Sequence, residues 1–159
     1  MNNYQSLPEL FFSKAKENLK NHHLLKINNN TNQIESWTWS NTYSSVNKIY
    51  QFINSQNLEK NERILLVSEN RPEWMAADIA IMSNQLIAVP NYITYTSRDF
   101  EHILNDSKPK GLIVSNKTLL DTVLIAAKKI NFDFLNSLLL LKKITLEDFD
   151  IYSFTPINL

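Results

Sequence analysis

The chain contains no cysteine and one glycine, Gly111, among its 159 residues. The first absence excludes disulfides and thiolate metal centres. The second excludes more. Loops that cradle a phosphate use glycine so that the backbone can approach the anion closely. No glycine-rich loop occurs in this sequence, so a self-contained nucleotide site of the usual kinds is not expected. Excess charge of one sign is also missing: 16 Lys and Arg stand against 16 Asp and Glu. No basic field therefore points to nucleic acid or an anionic membrane as the partner. The opening stretch MNNYQSLPELFF lacks a basic region followed by an apolar run, so no signal peptide is expected. The late run SLLLL is far too short to span a bilayer. No transmembrane segment and a cytoplasmic location are the expectations.

What is present has a globular balance, 43% hydrophobic and 20% charged, which a disordered chain would not show. The length suits one domain with a real core. Asparagine is abundant, and after glycine it tolerates left-handed turns best. It is expected to stand in for glycine at turns such as EKNER, 59–63.

Three apolar runs recur: ILLV at 64–67, LIAV at 86–89 and GLIV at 111–114. They do not alternate with polar residues, which is how strands buried on both faces read. Helical patterns fill the gaps. Strand, helix, strand, helix, strand predicts crossovers and a parallel sheet, with 71–84 and 97–107 as the crossover helices. Start signals support the helices: Ser6 with Glu9 fits a capping box, Asn70 with Glu73 gives a looser version around Pro72, and Thr96 with Asp99 is similar. Apolar faces follow at the helical period: Tyr43, Val46, Tyr50 and Ile53; Phe100, Ile103 and Leu104; Leu119, Leu120, Val123, Leu124 and Ala127. From Trp74 to Met82 the pattern is apolar nearly all round except at Asp78, which predicts a buried helix with a largely buried Trp74. Ahead of this unit, LLKI at 24–27 and IESWTW at 34–39 flank the polar NNNTNQ and read as a short β-hairpin. After residue 131 the pattern weakens. SLLLLKKI reads as one further strand at most, and TLEDFDIYSFTPINL carries no assignment.

Few residues suggest chemistry. His22 and His23 fall where the first helix should end, a place that suits a cation. His102 lies off the apolar face of its helix. No histidine belongs to a cluster with metal-ligand spacing. Asp78, alone on a buried helix, is expected to be a hydrogen-bonded structural residue. Ligands of open parallel sheets bind outside the carboxyl ends of the strands. That places Ser68, Glu69, Asn70 and Arg71, and Asn91, Tyr92 and Thr94 after the next strand, where a ligand could sit. Helix capping and loop geometry are the competing explanation for these residues. Trp37, Trp39 and Trp74 are expected in the core rather than as ligand platforms.

From TW opening a helix, through SENRPEW after a strand and AVPNY, to HILNDSKPKGLIV, the order and spacing resemble the N-terminal subdomain of adenylate-forming acyl-CoA ligases. The long-chain fatty-acid branch is the nearest in pattern, and the likeness runs from about residue 6 to about 130. The fold so implied is α/β, a Rossmann-like parallel-sheet core with flanking helices, preceded by the hairpin. Residues 1–132 form the subdomain and 133–159 a tail. The resemblance also implies a reaction for the complete enzyme. ATP and a fatty acid give an acyl-adenylate and pyrophosphate with magnesium assisting, and CoA then displaces AMP. The family's phosphate loop, adenine- and ribose-binding motifs, hinge and catalytic lysine lie later in such chains. Gln85 stands where relatives usually have glycine, and EKNER replaces a Pro-Gly-Asp-like turn. No catalytic, cofactor-binding or metal-binding residue is therefore assigned here. No cofactor is expected for this chain alone; ATP, magnesium and CoA belong to the complete enzyme, as does the fatty acid. The resemblance leaves three readings, a fragment, one half of a split protein or a decaying remnant. For a split protein the partner is the remainder of the ligase, encoded separately, meeting an apolar surface that Phe149, Tyr152 and Phe154 only partly shield. The alternative is a stand-alone binding or interaction module that keeps the fold without the reaction. A small unrelated Rossmann-like enzyme is disfavoured by the missing glycine-rich turn.

Overall fold

A computed structural model of the protein describes residues 3–28 and 31–131, together with the backbone of 142–146 and 149–153. The first helix, α1 (Leu7–Asn18), leads into a hairpin of β1 (His22–Ile27) and β2 (Ile34–Thr38). Then follow α2 (Trp39–Asn54), β3 (Arg63–Val67), α3 (Pro72–Ser83), β4 (Ile87–Asn91), α4 (Ser97–Ser107), β5 (Gly111–Val114) and α5 (Lys117–Lys129). The three predicted apolar runs form the parallel core, with β3 between β4 and β5. Two more strands, β6 (Lys142–Leu146) and β7 (Phe149–Ser153), extend it antiparallel to the order β4-β3-β5-β7-β6. The predicted strand SLLLLKKI overlaps β6 only in its last residues. Its leucines, and the side chains of Phe149, Tyr152 and Phe154, lie outside the described residues.

Alternation along the strands divides the core in two. Ile64, Leu66 and Ile113 point to one face and pack with α1, α2 and α3 through Phe11, Val46, Ile49, Ala76, Ala77 and Ile81. Leu65, Val67, Leu112 and Val114 point to the other and pack with α4 and α5 through Phe100, Leu104, Leu120 and Val123. Side chains buried on both faces explain why these strands read as unbroken apolar runs. The apolar helix 71–84 is α3, and its sequence has no single hydrophobic face because it is packed on several sides.

The caps hold two differences from expectation. Ser6 accepts from the Glu9 N–H at 3.2 Å, but the Glu9 carboxylate reaches past it to the Gln5 N–H, at 2.7 Å. The Asn70–Glu73 cap does not form. Arg71 is the N-cap, in extended backbone, and makes no side-chain capping bond. Its guanidinium instead grips Glu73 with a two-pronged ion pair at 2.9 and 3.1 Å. A forked guanidinium–carboxylate contact is stronger than an amide cap. At Thr96 the box forms as predicted, with the Asp99 carboxylate accepting from the Thr96 N–H and hydroxyl. Those bonds, the hydroxyl first, hold the Asp99 carboxyl below the usual carboxylate range.

Asparagine does replace glycine at turns. Asn32, Asn57, Asn61 and Asn131 all take positive φ, and Asn61, at 65°, sits in EKNER. Gln85 (59°) and Lys108 (44°) do the same with less suitable side chains. Gly111 has no such role: it lies in β5, where an added Cβ would meet Ile64 at 3.4 Å.

Candidate functional site

The helix that follows β3, α3, packs on one face of the sheet, whereas α4 and α5, which follow its neighbours β4 and β5, pack on the other. Crevices therefore open beside the carboxyl end of β3, where ligands of such sheets bind. On the β5 side Ser68 and Ser115 are buried, and the Asn116 amide donates to Ser115 at 3.3 Å and, more weakly, to Glu69 at 3.4 Å. The same Asn116 caps α5 by accepting from the Leu119 N–H at 3.0 Å.

On the β4 side the crevice is an open cleft of about 440 Å³ lined by Ser68, Glu69, Asn70, Trp74, Pro90, Asn91, Tyr92 and Ile93. Five of the seven predicted loop residues thus come together. Thr94 does not line the cleft. Arg71 lines a second cleft, of about 740 Å³, between the hairpin residues Leu24–Ile27 and the segment Glu69–Met75. The two clefts share Glu69, Asn70 and Trp74. Trp74 and Ile93 were not predicted as lining residues. Trp74 packs against the first core, as its apolar neighbours implied, while the part of the indole left uncovered lines both clefts. A helix that starts at a strand end places its first turn at the crevice mouth, a signal the apolar pattern conceals.

Chemically the smaller cleft offers one carboxylate, short polar side chains and two aromatic surfaces. Ser68 donates to the Glu69 carbonyl at 3.0 Å and Asn91 to the Val89 carbonyl at 2.8 Å, so both are partly engaged in loop geometry. The Tyr92 ring, 72% exposed, leans edge-on against Tyr95, their centroids 5.5 Å apart. The lining has no histidine, lysine or arginine. A triphosphate finds neither cations nor a glycine-built cradle here, because Gly111 sits inside the sheet. Among the described residues, no group of three His, Cys, Asp or Glu side chains is placed to hold a metal ion, and no helix is long and apolar enough to cross a membrane.

The other sequence candidates lie elsewhere. His22 and His23 do not end α1, which stops at Asn18; they begin β1. Three residues of turn separate the helix from the strand, and alternating strand pairing takes over where a helix cation was expected. His22 bonds to Ser36 and His23 to Thr42. His102 is exposed, as its position off the apolar face implied. Asp78 is half-buried, and burial pushes its carboxyl up from the usual range. It has no hydrogen-bond or ion-pair partner among the described residues, contrary to the structural role expected of it. Trp39 and Trp74 pack on the edge of the first core, whereas Trp37 is half-buried on the hairpin.

Known proteins bear directly on this arrangement. Fatty acyl-CoA synthetase A of Dictyostelium discoideum is 36% identical over 62 residues, a match that covers 39% of this chain and 9% of that protein. Among solved structures, VinN superposes with a TM-score of 0.70 at 14% identity, covering 79% of this chain and 31% of its own. The inhibitor-bound N-terminal domain of FACL13 from Mycobacterium tuberculosis gives 0.64 at 16% identity, over 74% and 29%. The fatty acid AMP ligase from Legionella pneumophila gives 0.62 at 18%, over 70% and 20%. The present chain therefore spans well under half the length of each. These identities establish the fold, an α/β N-terminal-subdomain architecture. The family described as AMP-binding enzyme matches residues 12–144, and this chain belongs to it.

Proposed function

We propose that the chain supplies the N-terminal scaffold of a fatty acyl-CoA ligase, with residues 1–132 as its body and the chemistry carried by other parts of the complete enzyme. The carboxyl group of a fatty acid is a poor acyl donor because hydroxide leaves badly. Adenylation replaces it with AMP, and the CoA thiol then displaces AMP. The first step needs preorganised donors around the adenylyl phosphate, and the second around the oxyanion that forms when the thiol attacks the acyl carbonyl. The observation that carries the reading is the placement of Gly111, the one glycine, in a buried strand. The loops after β3 and β4 then have no glycine-built cradle for a phosphate, and the cleft between them carries no cation to meet a triphosphate. The long-chain substrate follows from the likeness to fatty-acid ligases and belongs to the same proposal.

Incubation of the purified chain with ATP, magnesium and a long-chain fatty acid tests it. Pyrophosphate release should stay at the level without protein. Release that depends on the fatty acid would overturn the proposal. The open cleft beside β4 favours one second reading, a binding module that keeps the fold without the reaction. Saturable binding of a fatty acid to the isolated chain, without pyrophosphate release, would select it.

A further inference from the structure

The hairpin meets the body of the protein through an irregularity. Its ladder pairs His22 with Thr38 and Leu24 with Trp37, so His23 is an extra residue, a bulge. Bulges re-aim a side chain. Here the imidazole stacks on the Trp39 indole, centroids 3.7 Å apart and planes 22° from parallel. Its Nδ1 lies 3.0 Å from the Thr42 hydroxyl. Thr42 is fully buried, and its hydroxyl donates to the Thr38 carbonyl at 3.3 Å. A hydroxyl has one proton to give. Thr42 therefore accepts from His23, and the imidazole carries its proton on Nδ1. Phe11 of α1 closes the cluster, its ring 6.1 Å from His23 and 5.8 Å from Trp39.

We propose that neutral His23 is a pH-sensitive latch that fastens the β1–β2 hairpin to α1 and α2, and with it the hairpin wall of the larger cleft. Four residues of β1, Leu24 to Ile27, form that wall. A second proton must enter at Nε2 and place a charge inside an aromatic cluster. Burial pushes His23 below the usual histidine range and is the sole cause of the shift. Charged groups of the surrounding elements take no part. On β1, His22 turns to Ser36, and Lys26 lies by Glu35 of β2. Lys14 of α1 is paired with Glu17, and Glu73 of α3 with Arg71. Lys48 of α2 and Asp78 of α3 likewise contribute nothing to the shift. The Trp39 face attracts an imidazolium and offsets part of the burial cost, but the net direction is downward. Above about pH 6.5, the usual histidine value, both docked and undocked forms are neutral and the latch is at full strength. As pH falls through that value the undocked hairpin binds the proton first, and docking weakens until the docked pKa is passed.

Titration of the three histidine rings by NMR in the full wild-type chain tests the latch, with His22→Gln and His102→Gln used for assignment. The His23 ring should titrate below His102. Hairpin amides, corrected for intrinsic rates, should exchange faster at pH 5.5 than at pH 7.5, by a factor that rises with the depression to a ceiling of about tenfold, while β3 amides hold. His23→Gln can still donate to Thr42 but cannot titrate, and should remove the pH dependence. A His23 pKa at or above about 6.5, the usual histidine value, would overturn the proposal without any substitution at the site. So would the same pH ratio of hairpin exchange in wild type and His23→Gln.

Discussion

The β3–β5 unit and the β1–β2 hairpin are both made of short aliphatic strands, yet they are held in place by different physics. Leu65, Leu66, Val67, Leu112 and Val114 are completely inaccessible, covered by helices on both faces. In the hairpin, Leu25, Ile27 and Ile34 are 61–69% exposed. Ile27 and Ile34 lie directly opposite each other on that open face. The hairpin is attached instead by the His23–Trp39 stack, the buried Thr42, and two backbone bonds, Trp39 N–H to the Asn21 carbonyl and Ser40 N–H to the Leu19 carbonyl, both at 3.0 Å. Apolar composition alone does not tell a strand that is locked by burial from one that is pinned at its base. The partner side of the sheet makes the difference.

Substitutions should separate the two regions. Leu65→Ala removes a side chain packed on all sides and should cost about 3–5 kcal/mol, whereas Leu25→Ala in the hairpin should change stability by no more than about 0.5 kcal/mol. Urea unfolding midpoints report both, and equal losses would erase the distinction. The next largest effect concerns the joint between the regions. Glu73 is 5% exposed and its partner Arg71 lines the larger cleft. Glu73→Ala leaves a shielded guanidinium short of its main partner and should cost about 2–3 kcal/mol; a change within error would mean that the pair adds nothing to the α3 start. A smaller effect, of opposite sign, is expected at Gln85, which holds φ 59° after α3. Gln85→Gly removes the left-handed penalty and should stabilise by about 1 kcal/mol, read as a higher thermal midpoint. The smallest effect is at Asp78. Burial raises its carboxyl pKa from 3.8, so the unfolded chain ionises first as pH rises, and the wild type loses stability through the carboxylate range. Asp78→Asn should match wild type at low pH and exceed it slightly at neutral pH. Identical pH profiles for the two proteins would contradict this.

Much of the fold was legible because the parallel unit obeys simple rules. Both faces of β3 and β5 are buried, so they read as apolar runs, and α4 begins and ends where Thr96, Asp99 and the apolar spacing place it. The hairpin was legible from its polar turn. What escaped prediction depended on contacts distant in sequence or on competition between local bonds. Nothing near Asn70 says that Arg71 will prefer Glu73 to leaving the cap free. His22 and His23 look like a helix end until the strand claims them, and the bulge at His23 leaves no mark in the pattern. The carboxyl strand ends were correctly chosen as the place for a cleft. The contact of Asn116 with Glu69, 47 residues away, could not be read from either loop alone. Trp74 was rightly placed against the core, but its second role, lining both clefts from the first turn of α3, left no mark in the apolar pattern.

The contrast between the two regions can be measured most directly by native-state hydrogen exchange along a urea series. Amides of β3 and β5 should exchange only by global unfolding, with an opening free energy and urea slope equal to those of the whole chain. Hairpin amides between Leu24 and Ile27 should exchange by a local opening of lower free energy that scarcely responds to urea. A single free energy and slope shared by both regions would show that the hairpin is part of the same cooperative core, and would contradict the account.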